Sequence, residues 1–147
     1  MAKFGEIKKF LEENTVQFTV IELASIARSV EDVMKLSNGQ VKSEEVIKTL
    51  IVKKGGEFQG LVLRGDDRLK NNFIDRFATK DEVLSIAGVE FGAVCPVLLG
   101  IPIIIDKKVM NLKRVNMGSG DLLKGIDLNL EDLLKVLPNS TIEVISL

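Results

Sequence analysis

One short stretch limits the fold of this chain more than any other. Residues 46–53, Val-Ile-Lys-Thr-Leu-Ile-Val-Lys, carry apolar side chains at both odd and even positions. A strand that is apolar on both faces is covered on both faces, so this segment predicts a buried strand. Gly55-Gly56 follows as a turn, and residues 58–64 are typical of the returning strand of a hairpin.

The remaining elements mix helices and strands without regular βαβ alternation. Apolar periodicity and capping residues predict helices at 3–13, after Ser29, from 65 through Ile74, after Thr79 as far as Gly88, and at 130–136 with Asn129 as the cap. Strands are predicted at 18–23, 103–106, 112–117, 125–128 and 141–145. This order favours a single α+β or irregular α/β domain over residues 1–147, with a mixed sheet.

Missing residue types restrict the chemistry. The 147 residues include no His and one Cys, which excludes a Ser-His-Asp or Cys-His arrangement, a His/Cys zinc site and an internal disulfide. We therefore expect no metal and no cofactor. Apolar runs reach only four or five residues and the N-terminus has no signal-like stretch, so we expect a cytoplasmic protein without a membrane partner.

The charge pattern allows a nucleic-acid partner only through a local patch. The formal net charge is -1, whereas a chain that binds nucleic acid over its whole surface is usually basic. The ordinary interpretation of such basic clusters is a solvated surface. The clusters are Lys53-Lys54, Arg64 with Arg68 and Lys70, Lys107-Lys108, and Lys113-Arg114.

Lys48 stands out because it interrupts the apolar strand. On a two-residue period it shares a face with Val46, Leu50 and Val52. A lysine there loses hydration unless an anion or a water-filled cleft meets its ammonium. Two interpretations stay open: Lys48 lines a pocket, or it lies on an edge strand and extends its ammonium into solvent.

A second candidate is the loop Gly92-Ala93-Val94-Cys95-Pro96. Gly and Pro can hold successive backbone N–H groups turned inward, as in an oxyanion-binding loop, and an ordinary turn is the alternative. Cys95 is a nucleophile only beside a base or a cation; a buried, inert thiol is the other interpretation.

Two further candidates lie near the C-terminus. The Gly118-Ser119-Gly120 segment could let backbone approach a ligand closely, or could be a plain surface loop. Asp127 could orient a lysine or a water molecule, or could be a surface group.

These segments together resemble a known family. Residues 45–52, Glu-Val-Ile-Lys-Thr-Leu-Ile-Val, are similar to a strand of the YbaK/ProX family of aminoacyl-tRNA editing domains. The loop from Gly92 to Pro96 resembles that family's Gly-x-x-x-Pro loop. Gly118-Ser119-Gly120 and the segment around Asp127 resemble its small-residue loop and C-terminal strand–helix pair. The resemblance implies a compact α/β domain with a curved mixed sheet flanked by helices.

The resemblance also implies a function. Members hydrolyse the ester that joins a wrong amino acid to the terminal adenosine of a tRNA. Lys48 matches the family's functional lysine, and Gly92 and Pro96 match its substrate loop. The implied partners are the 3′ end of a mischarged tRNA and, as a candidate, prolyl-tRNA synthetase. The leading substrates are alanyl- or cysteinyl-tRNA for proline.

Three departures bear on specificity. Cys95 stands where several relatives carry Ser, Gly118 stands where some use a functional Ser, and Leu23 lies near the place of an aromatic residue in some members. The alternatives from other classes are a non-catalytic module that binds tRNA ends or a nucleotide, and a small esterase that uses Asp127 as its base.

Overall fold

A computed structural model describes residues 3–147 of the chain. Four α-helices are present in this part: α1 (Phe4–Glu13), α2 (Val30–Leu36), α3 (Lys80–Ala87) and α4 (Leu130–Lys135). The eight strands are β1 (Phe18–Glu22), β2 (Ile47–Lys54), β3 (Glu57–Arg64), β4 (Arg76–Phe77), β5 (Ile103–Asp106), β6 (Arg114–Gly118), β7 (Lys124–Asn129) and β8 (Ser140–Glu143). Short 3-10 helices span Ser43–Glu45, Phe91–Ala93 and Lys107–Asn111. The mixed α/β fold class is as expected.

The strand predicted to be covered on both faces is β2. It belongs to a five-stranded sheet of order β4-β2-β3-β5-β8, in which β3, β5 and β8 run parallel. Ile47 and Ile51 face the main apolar core. Val52 faces a second cluster, which also contains Ile145 near the C-terminus. The prediction is confirmed, since apolar side chains cover β2 from both sides.

A second, antiparallel sheet has the order β1-β7-β6. It meets the first sheet at a parallel bridge between Val46 and Asn116. Along β2, β4 pairs only with Val52 and Lys53. Between the bridge at Val46 and the pairing with β4 at Val52, the other edge of β2 has no partner strand in residues 3–147, and the candidate site lies along it.

The helices begin and end where the local sequence predicts. Ser29 accepts a hydrogen bond from the backbone of Asp32 at the start of α2. Thr79 and Glu82 form a reciprocal capping box at the start of α3, and Gly88 ends it in the left-handed region. Asn129 precedes α4 without a side-chain cap, because its Oδ1 accepts a hydrogen bond from Arg114 instead.

The helix predicted from residue 65 through Ile74 is wrong. This segment is irregular because its backbone pairs with the C-terminal residues: Lys70 N–H donates to Ile145, and Leu147 N–H donates to Arg68. Its apolar residues Leu69, Phe73 and Ile74 pack on the second cluster. Within residues 3–147, no helix has the length and apolarity needed to cross a bilayer.

Candidate active site

A cavity of about 540 Å³ lies along the open edge of β2. Its walls come from β2, from the loop before α2, from the 3-10 helix at Phe91–Ala93, and from the facing strands β6 and β7. Its charged lining residues are Arg28, Glu31, Lys48, Asp121 and Lys124. Segments that are far apart in sequence therefore converge on one site.

Lys48 lines this cavity, and its ammonium is anchored. Nζ donates to the carbonyl oxygens of Asp67 at 2.6 Å and Gly65 at 3.3 Å. Partial burial lowers the pKa of Lys48 from its ordinary value, and the nearby carboxylate of Asp67 opposes that effect. An ammonium has three protons to donate, so one is left for a group in the cavity.

Gly92 and Val94 also line the cavity. The backbone of Arg28 packs so closely on Gly92 that an added Cβ would lie 2.8 Å from its Cα. The amide of Ala93 is already committed, because it donates to the carbonyl of Glu90 at 2.9 Å. Gly92 and Val94 are therefore the loop residues at the cavity whose amides are candidate donors to a ligand.

Cys95 and Pro96 are buried outside the cavity lining. The Cys95 thiol lies 3.9 Å from the sulfur of Met117, and burial raises its pKa to about 12. A thiol with this pKa holds almost no thiolate near neutral pH. The arrangement matches the interpretation of Cys95 as a packing residue.

Gly118 is part of the cavity wall, whereas Ser119 is fully buried. The Ser119 hydroxyl donates to the carbonyl of Lys124 at 2.6 Å and accepts from the amide of Asp121 at 3.2 Å. These bonds fix the turn between β6 and β7. Ser119 therefore shapes one wall of the cavity without facing it.

Asp127 lies on β7 outside the cavity lining. Its carboxylate accepts hydrogen bonds from Nε and Nη2 of Arg114, with a distance of 2.7 Å to Nε. The bifurcated ion pair holds β6 against β7. This occupied carboxylate is poorly placed to act as a base on a ligand in the cavity.

The sequence pattern does not predict several of the lining residues. Within residues 3–147, none of the predicted basic clusters lines the cavity; its cations are Lys48, Arg28 and Lys124. Arg28 pairs with Glu90 at 3.3 Å. Asn116 is buried in the wall although it lies in an apolar strand. A polar residue within an apolar strand is the same signal that identified Lys48, and it would have identified Asn116 from the sequence.

The fold is a mixed α/β domain with a cavity between its two sheets. A family profile described as an aminoacyl-tRNA editing domain matches residues 25–136. The chain belongs to this family, and the resemblance to YbaK/ProX proteins is confirmed.

Sequence relatives agree with this assignment. A proline–tRNA ligase of Vesicomyosocius okutanii subsp. Calyptogena okutanii (strain HA) is 33% identical over 114 residues, 71% of this chain and 20% of the ligase. The ligase of Halalkalibacterium halodurans is 32% identical over 90 residues, 55% of this chain and 16% of the ligase. The chain thus spans a fifth or less of these relatives.

Two crystal structures share the fold. A hypothetical protein, APE2540, has a TM-score of 0.83 at 23% identity, with 96% of this chain and 99% of that chain covered. A candidate trans-editing enzyme for prolyl-tRNA synthetase has a TM-score of 0.80 at 16% identity, with 100% and 99% covered.

Proposed function

We propose that this chain is a trans-acting deacylase that hydrolyses the ester of mischarged tRNA, with alanyl- or cysteinyl-tRNA for proline as the leading substrates. The observation that carries the proposal is that Lys48 and Gly92, the positions matching the family's functional lysine and loop, line one cavity. The relatedness to proline–tRNA ligases supports the choice of tRNA and prolyl-tRNA synthetase as a partner.

Lys48 positions the substrate in this mechanism. Two carbonyl oxygens fix the direction of its ammonium, and these acceptors favour the charged form. The remaining proton is donated to the terminal phosphate or ribose of the tRNA, which fixes the ester in the cavity. In this proposal Lys48 acts as a hydrogen-bond donor and not as a base.

Backbone amides stabilise the charge that develops on the ester carbonyl. Gly92 and Val94 line the cavity, and we assign their backbone amides as the donors, since an oxyanion can be held by fixed amides without any side chain. Water attacks the carbonyl carbon with the help of a ribose hydroxyl of the tRNA. The resulting tetrahedral intermediate releases the amino acid and the free 3′ end of the tRNA.

The experiment compares deacylation of a panel of mischarged tRNAs by the wild type, Lys48→Ala and Lys53→Ala. We expect Lys48→Ala to reduce kcat/KM by about 10- to 100-fold, since a hydrogen bond from a charged group contributes roughly 1.5–3 kcal/mol. Lys53 lies on the same strand outside the cavity lining and contacts the Phe58 ring, so its variant should keep full activity.

Three outcomes would contradict parts of the proposal. Undiminished activity of folded Lys48→Ala would remove the assigned role of this lysine. Binding of tRNA ends by the wild type without turnover of any mischarged tRNA would indicate a binding module. Hydrolysis of simple esters that is indifferent to tRNA and abolished by Asp127→Asn would indicate a carboxylate-based esterase.

A further inference from the structure

Asn116 is a buried polar residue in the cavity wall with unused hydrogen-bonding capacity. The residue is 2% exposed, and its Nδ2 has no hydrogen-bond partner among the described residues. Its neighbours on β6, Val115 and Met117, are buried in the main core. Leaving a buried amide unpaired is costly, so an apolar residue would suit the fold better than asparagine does.

The strand opposite leaves room for this amide. A Cβ added to Gly125 would lie 3.0 Å from Oδ1 and 3.4 Å from Nδ2 of Asn116. Gly125 itself lines the cavity. Asn116 also lines the cavity, and because Gly125 has no Cβ the amide is not crowded on this side.

The position of Asn116 indicates which part of a substrate it meets. The body of a tRNA is far too large for a cavity of about 540 Å³, so the aminoacyl end enters first and reaches a wall of buried side chains. That wall includes Asn116 together with apolar Val46 and Met117, which are 4% and 2% exposed. An amide among apolar side chains can distinguish an amino acid by a single polar atom.

We propose that Asn116 determines specificity by hydrogen-bonding a hydroxyl group on the aminoacyl side chain, so that seryl esters are preferred over alanyl esters. This inference rests on the proposed deacylase function and revises its leading substrate. The physical reason is that a site built to pair with a polar group discriminates against the analogue that lacks it, since the protein group is then left unpaired.

Seryl- and alanyl-tRNA made on the same tRNA test this inference, because the two esters differ by one oxygen atom. We expect the wild type to hydrolyse the seryl ester with a kcat/KM about tenfold higher, as one hydrogen bond allows. Asn116→Ala should bring the ratio of seryl to alanyl kcat/KM close to one, mainly through slower seryl hydrolysis. Gly125→Ala should shift the ratio the same way, since its Cβ crowds the amide.

Asn71→Ala is the matched control, because Asn71 is exposed and outside the cavity lining. The ratio of seryl to alanyl kcat/KM in this variant should equal that of the wild type. Equal or faster alanyl hydrolysis by the wild type overturns the inference even if the Asn116 variant does not fold. An equal loss of kcat/KM on both esters in Asn116→Ala also overturns the inference, since a purely structural role predicts that result. Absence of hydrolysis of every mischarged tRNA overturns the proposed deacylase function as well.

Discussion

Replacing Gly118 with alanine tests whether the two glycine-containing segments act as one site. A Cβ at this position would overlap the carbonyl oxygen of Val94 and would lie 3.1 Å from its carbonyl carbon and 3.3 Å from that of Ala93. All three atoms belong to the backbone, so no side-chain rotation relieves the clash. The variant must displace the loop that carries Gly92 or shift β6.

The size of the displacement follows from ordinary contact distances. Carbon atoms pack at about 3.5–4.0 Å, so the Val94 carbonyl carbon must move by roughly 0.5–1 Å. A misplacement of about 1 Å can cost about 100-fold in rate. We therefore expect kcat/KM for deacylation to fall by about 10- to 100-fold, with a loss of about 1–3 kcal/mol in the free energy of unfolding from overpacking.

The assay pairs deacylation rates with urea unfolding, and Gly5→Ala is the control. An added Cβ at Gly5, in α1, would have no atom within 4 Å, so this variant should keep wild-type activity. Wild-type deacylation and stability in Gly118→Ala would refute the reasoning, because the loop could not then be held against β6. With Gly118, this chain sets its loop closer to β6 than a residue with a Cβ permits.

Two further predictions follow from pKa values. Burial raises the pKa of Cys95 to about 12, so its thiol should react with a disulfide reagent about a thousandfold more slowly in the folded protein than in urea. Cys95→Ala should also keep deacylase activity. Fast labelling of the folded protein would instead indicate a nucleophilic role for Cys95. Hydrogen bonds from Arg76 and from the Thr79 amide lower the pKa of Glu82 from 4.5 to about 2. Its contribution to stability is therefore complete above pH 4.5 and is lost as the pH falls through about 2. Glu82→Gln should lower Tm near pH 7 and match the wild type near pH 2; a constant Tm difference across that range would contradict this.

Much of the fold could be predicted because its signals are local. The two glycines at 55 and 56 both have positive φ, as the hairpin turn requires, and the capping box at Thr79 and Glu82 lies within four residues. The segment from residue 65 to 75 could not be predicted in this way. Its backbone partners belong to the C-terminus, about 75 residues further along the chain, and local periodicity carries no information about them.

The candidate site, like the fold, is only partly predictable from local sequence. The position of Lys48 in the cavity wall was one of two open interpretations of the sequence, but the carbonyls that orient it are 17 and 19 residues away. Arg28 enters the site because its backbone packs on Gly92, a contact that neither residue predicts alone. Asn116 faces the cavity because β6 meets the start of β2 at Val46. Each of these depends on sheet topology, which the sequence pattern left undetermined.

The geometry also explains how a deacylase could work without a histidine. Cys95 is a buried thiol, Asp127 is bound by Arg114, and the ammonium of Lys48 already donates to two carbonyls. To act as a base, Lys48 would first have to lose a proton from its ammonium, and the two carbonyl acceptors favour the charged form. The rate must then come from the placement of the ester, the water and the ribose hydroxyl. If so, a Cβ at Gly118 that only moves the loop should impair catalysis about as much as removing the ammonium of Lys48.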